Sequence, residues 1–158
     1  MGIENFGLVD RGDGWALYRG AQPDAQGFAR LRKLGVTLLY KLNTETEASA
    51  AKAARFFGSG KVIRDPVRTL VPDADHTSRA VGAIQALTAS GETVFVHCSH
   101  GQDRTGMVIA GWRILVNGWT VRKADEERRR FGGGMARDDV LASLAELAGA
   151  PLIRADRK

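Results

Sequence analysis

ETVFVHCSHGQDRTGMVIAGWRILV, residues 92–116, is the stretch that decides the fold of this chain. Its β-branched and aromatic run from Thr93 to Val96 predicts a short buried strand that delivers Cys98 at its carboxyl end. After Gly106 the run MVIAGWRILV is apolar around most of a helix, so the loop between them joins a strand to a helix N-terminus. Backbone N–H groups of such a loop converge on an anion, and the helix terminus adds partial positive charge. The same field favours the thiolate form of a cysteine. Arg104 closes the loop, and its planar fork suits two phosphoryl oxygens as charge moves onto them. Thr105 offers its hydroxyl to the cysteine sulfur. Gly101 and Gly106 remove side chains where the backbone turns tightly or approaches the anion. These parts together predict in-line attack by sulfur on a phosphate monoester, followed by hydrolysis of a thiophosphate. The competing reading, an inert core cysteine, gives the glycines, Asp103, Arg104 and Thr105 no common reason to sit together.

Residues 98–105 run Cys, five residues, Arg, Thr, and in this they resemble the loop of the cysteine-dependent protein-tyrosine and dual-specificity phosphatase superfamily. The resemblance implies a phosphate-binding loop made of Cys98, Ser99, His100, Gly101, Gln102, Asp103 and Arg104, flanked by His97 and Gly106 as supports. LYRGAQPDAQGFARLRKLGVTLLYKLNTE resembles the amino-terminal half of small bacterial dual-specificity-like phosphatases, and WRILVNGWTVRKADEERRRFG resembles the segment after their catalytic loop. The implied substrate is a phosphorylated protein. The loop form CxxGxDRTG also resembles lipid-phosphate phosphatases, so an inositol phosphate or phosphoinositide is the alternative. A phosphate-binding module that has lost turnover is a further alternative.

Length and composition fit one phosphatase domain over residues 1–158, with 44% hydrophobic residues to build its core. No apolar stretch reaches membrane-spanning length and no signal-peptide pattern opens the chain, which makes the cytoplasm the expected location. A monomer is the expected state. The net charge of +5 suits an anionic substrate. The basic blocks RKADEERRRF and IRADRK intersperse acids or lie near the terminus, and neither carries aromatic stacking residues, so no specific nucleic-acid partner is expected. EERRR reads as a solvated helix face. The nucleotide-binding GxxxxGK[ST] spacing is absent. His97, Cys98 and His100 lie too close in sequence for a closed metal set, so neither metal nor organic cofactor is expected.

The remaining chain alternates in the α/β manner. Edge strands are expected at 8–9 and 15–19 around the glycine turn at 12–14, with further strands at 36–40 and 62–63. Helices are expected from Pro23 to about 34, stopped by Gly35, from 45 to 57 behind a Thr44 cap, and at 76–88, 105–116, 121–130 and 138–147. The predicted fold is α/β, a central mainly parallel sheet of four or five strands flanked by helices and dual-specificity phosphatase-like. A general acid for the leaving oxygen is expected on the loop between Asp65 and Asp75. Asp73 is the first choice, since it follows Pro72 near a helix start in a region resembling the acid-bearing loop of the family. Asp75 and Asp65 are the alternatives. The family places its aspartate where this chain has Thr69, and an N-cap is the competing role for Asp73 or Asp75.

Overall fold

A computed structural model describes residues 2–44 and 47–149. Its five strands are β1 (Gly7–Gly12), β2 (Trp15–Gly20), β3 (Leu38–Lys41), β4 (Val62–Arg64) and β5 (Val94–His97). They form one sheet in the order β1-β2-β5-β3-β4, with β1 antiparallel to β2 and the other pairs parallel. The helices are α1 (Ala25–Lys33), α2 (Glu47–Phe57), α3 (Ala74–Ala89), α4 (Asp103–Leu115), α5 (Val121–Arg130) and α6 (Arg137–Ala148).

The strand period of two sorts the apolar residues between the faces. Val94 and Val96 of β5 join Leu38 and Tyr40 of β3 in a cluster with Val81 and Ile84 of α3, Trp112 of α4 and Leu144 of α6. Phe95 and Leu39 point the other way, onto Phe28 and Leu31 of α1 and Ala53 of α2. Helices therefore cover both faces, and β5 lies at the centre of the sheet with its carboxyl end free for a loop. The fully buried Trp112 places its indole N–H 2.9 Å from Asp10 Oδ2, which satisfies the one polar atom of that ring.

Several boundaries differ from expectation for local reasons. Only β1 is an edge on its side of the sheet; β2, expected as an edge strand, is hydrogen-bonded to β1 and β5. α1 starts at Ala25 rather than Pro23 because the Asp24 carboxylate accepts from Gly27 N at 2.7 Å. Gly35, expected as the stop of α1, follows its end in the left-handed conformation, with φ of +90°. α3 starts two residues early because Asp73 caps it. Arg128, part of the expected solvated face of α5, is only 1% exposed and places Nη2 2.9 Å from Asp125 Oδ1. The expected start of α2 at Glu45, next to Thr44, and the IRADRK block at 153–158 lie outside the described residues. No described helix is long and apolar enough to cross a membrane.

Candidate active site

The parallel strand β5 ends at His97, and the chain then turns through residues 98–102 into α4. Cys98 is 2% exposed, yet it lines a cavity of about 370 Å³ together with His100, Gln102, Asp103 and Arg104. The opposite wall comes from Thr44 after β3, from Val67 through Leu70 after β4, and from Met135 before α6. Strand carboxyl ends and the N-terminus of α4 thus converge on one concavity, the geometry in which loop amides and a helix terminus favour an anion.

Gly101 joins the loop to its sulfur. Its N–H lies 3.2 Å from Cys98 Sγ, and its φ is +69°. A Cβ there would lie 2.5 Å from the Gly20 carbonyl carbon, so glycine is required both by conformation and by space. Gly106 allows close packing as well, since a Cβ on it would meet Arg128 Cγ at 2.9 Å. His97 is 1% exposed, with Nδ1 3.4 Å from the Cys98 carbonyl and its ring stacked on Phe95 at 5.5 Å. Burial, with Lys41 as a second cause, pulls its pKa from 6.5 to about 3, so it stands in the loop as a neutral ring. Arg104 places Nη2 3.5 Å from Ser99 Oγ, across the loop. The Ser99 carbonyl accepts from Gln22 N at 3.1 Å.

Thr105 departs from its expected contact. Its hydroxyl is buried and has no hydrogen-bond partner among the described residues, whereas the sulfur receives Gly101 N–H. Thr105 is the third residue of α4 and is fully buried.

The three aspartates offered as proton donors are engaged elsewhere and do not line the cavity. Asp73 accepts from His76 N at 2.8 Å as the cap of α3. Asp75 pairs with Arg79 at 3.0 Å on the surface. Asp65 accepts from Tyr40 Oη at 2.6 Å and lies 2.9 Å from His76 Nε2, which ties the start of the loop to β3 and to α3. Burial first, then that hydrogen bond and the Asp65 charge, raises the Tyr40 pKa. Asp103 does line the cavity. Its Oδ1 accepts from Gly134 N and Met135 N, both at 3.2 Å, and lies 3.9 Å from Arg128 Nη1.

Other residues at or behind the cavity were not offered as site residues from sequence. Arg68, Thr69 and Leu70 occupy the wall where a loop acid was expected, and Met135 arrives from a segment with no motif. Arg19, 1% exposed, donates from Nη2 to the Gly101 carbonyl at 2.7 Å. A signal for it existed, because Leu17 and Arg19 are two apart on a strand and so share its buried face. Among the described residues no group of three or more His, Cys, Asp or Glu is arranged to hold a metal ion.

Comparison with known proteins places this geometry in a lineage. The chain is 33% identical over 135 residues to the dual specificity protein phosphatase TpbA of Pseudomonas aeruginosa strain UCBPP-PA14, covering 85% of this chain. It spans 59% of the length of that relative. The crystal structure of P. aeruginosa TpbA superposes with a TM-score of 0.66 at 29% identity, covering 86% of this chain and 81% of that one. The active form of Tk-PTP superposes with a TM-score of 0.76 at 18% identity, covering 93% of this chain and 98% of that one, a likeness of fold. A model of the family described as the tyrosine phosphatase family matches residues 1–156. With that match across nearly all its length, the chain belongs to the tyrosine phosphatase family.

Proposed function

We propose that the protein hydrolyses phosphate monoesters, with Cys98 as nucleophile and phosphotyrosine in a protein as the preferred substrate. The observation that carries the reading is Cys98 lining a cavity shared with Arg104 at the mouth of α4, its sulfur facing the Gly101 N–H. In the first step the thiolate forms an S–P bond as the ester P–O bond breaks, and the leaving oxygen takes a proton. In the second, water breaks the S–P bond and releases inorganic phosphate, restoring the thiolate. Arg104 and the loop amides offset the charge that builds on the phosphoryl oxygens, a task that metal ions perform in other phosphatases. Thr105 is retained in the proposal as part of the α4 terminus, without a bond to sulfur.

Proton delivery is assigned to Asp103. It is a carboxyl that lines the cavity together with Cys98 and Arg104, and the contacts described above all fall on its Oδ1.

The preference for an aryl ester rests on the rim. Leu70 and Met135, 57% and 50% exposed, are two of the four large exposed hydrophobic residues among those described, and both line this cavity. An aromatic ring above the phosphate gains contact with both, whereas a serine side chain is too short. The TpbA relatives are named dual specificity protein phosphatases, and a TpbA crystal structure is in complex with pTyr.

The test is kcat/KM for matched phosphotyrosine and phosphoserine peptides and for soluble inositol phosphates, in wild type, Cys98→Ser, Leu70→Ala and Met135→Ala. Cys98→Ser abolishes turnover on every substrate. Each rim variant lowers the phosphotyrosine value by up to about tenfold and leaves phosphoserine nearly unchanged. Turnover retained by Cys98→Ser overturns the nucleophile, and a higher value for inositol phosphates overturns the substrate.

A further inference from the structure

We propose that Arg19 is a positioning residue that, through the Gly101 peptide, holds the Cys98 loop in the arrangement where the nucleophile is ionised. This inference rests on the reading of Cys98 above and adds a residue to it.

A guanidinium removed from water is costly unless its charge and its donors are used. Arg19 is 1% exposed, and its Nε and Nη1 have no hydrogen-bond partner among the described residues. Its one described hydrogen bond runs from Nη2 to the Gly101 carbonyl at 2.7 Å, short as expected for a charged donor. Gly101 in turn offers its N–H to Cys98 Sγ at 3.2 Å. Arg19 therefore grips one end of a residue whose other end faces the sulfur. The next residue on the same strand, Gly20, closes the grip, because its carbonyl carbon lies 2.5 Å from where a Gly101 Cβ would stand. The side chain is held from its other side by Phe131, which follows α5 and whose ring centroid lies 3.9 Å from the guanidinium carbon.

Electrostatics point the same way. Burial lowers the Arg19 pKa to about 10, which leaves the group charged at neutral pH, and among the groups that favour its charge are Glu127 first and then Cys98. A cation placed near a thiol favours its ionised form. Glu127 is already engaged by Arg113 at 2.9 Å. The other charged or titratable groups toward the thiol are Arg104 and Asp103 from α4, Arg68 from the 65–73 loop and His100 within the turn. His97 is neutral, and Lys41 of β3 lies behind it. These remain in an Arg19 variant, so a change in ionisation there reports Arg19 itself.

Cys98 is the chain's one cysteine, so its alkylation by iodoacetamide can be followed by mass without reference to turnover. Arg19→Gln keeps a donor near Gly101 and removes the charge. Its alkylation rate at pH 6 is expected to fall about tenfold, and the acidic limb of kcat/KM to move upward by about one pH unit. Arg19→Lys restores most of both. A folded Arg19→Gln variant, checked by circular dichroism, with the wild-type alkylation profile overturns the proposal and leaves Arg19 a packing residue. Where Arg19→Gln does not fold, Phe131→Leu, which loosens the guanidinium without touching the loop, is expected to shift the profile in the same direction by a smaller amount; an unmoved profile there also overturns it. Failure of the phosphatase reading looks different, as wild type would then turn over no phosphate ester whatever its alkylation rate.

Discussion

At the residue scale, the chemistry depends on polar groups that the fold isolates from water. His97 is buried and neutral, with its pKa depressed from 6.5 to about 3. Above pH 6.5 it is uncharged in both the folded and the unfolded chain and costs nothing. As pH falls from 6.5 toward 3, the unfolded chain binds a proton that the folded chain refuses, so stability is lost with falling pH across that window. The slope from this one group approaches about 1.4 kcal/mol per pH unit. Urea midpoints measured at pH 7, 6 and 5 are expected to fall less steeply in His97→Gln than in wild type, and equal slopes would refute the assignment. Cys98, Gly101, Asp103 and Arg104 were legible in the sequence because they sit within seven consecutive positions, where spacing is geometry. Arg19 was harder to read, since it reaches Gly101 across 82 residues of sequence.

At the scale of elements, the loop between β4 and α3 separates two uses of aspartate that look alike in sequence. Asp73 after Pro72 fits both an acid loop and a helix cap, and its carboxylate accepts from His76 N at 2.8 Å. Residues 65–73 are tied down by Asp65 at one end and by this cap at the other, so the side chains turned to the cavity are Val67, Arg68, Thr69 and Leu70. Asp73→Ala is expected to cost about 1 kcal/mol in stability. Asp103→Asn, by contrast, is expected to slow hydrolysis of alkyl phosphates by about 100-fold while barely affecting nitrophenyl phosphate, whose leaving oxygen needs little protonation. Comparing kcat for the two leaving groups in Asp103→Asn and Asp73→Asn checks the assignment. A leaving-group effect in Asp73→Asn alone would mean that α3 releases its cap during turnover. The basic run of α5 carried a similar ambiguity: composition gives a charged helix, but only packing beneath Gly106 decides that Arg128 is the buried member.

At the scale of the whole molecule, the alternation of strands and helices made the parallel sheet legible, and the sheet then dictates where a site can form. β5 takes the central position, so its loop opens between the carboxyl ends of its two parallel neighbours, β2 and β3. One wall of the cavity is the local motif. The other is assembled from Thr44, the 67–70 segment and Met135, which only the fold brings together, and that is why the rim was invisible in the sequence. The central claim, a phosphoryl group carried on Cys98, is tested most directly by acid-quenching the enzyme within milliseconds of mixing with an aryl phosphate and mapping the adduct by peptide mass. The account predicts the mass of one phosphoryl group on the peptide containing Cys98, appearing in wild type and absent from Cys98→Ser. Release of inorganic phosphate with no adduct on that peptide, together with turnover by Cys98→Ser, would contradict it.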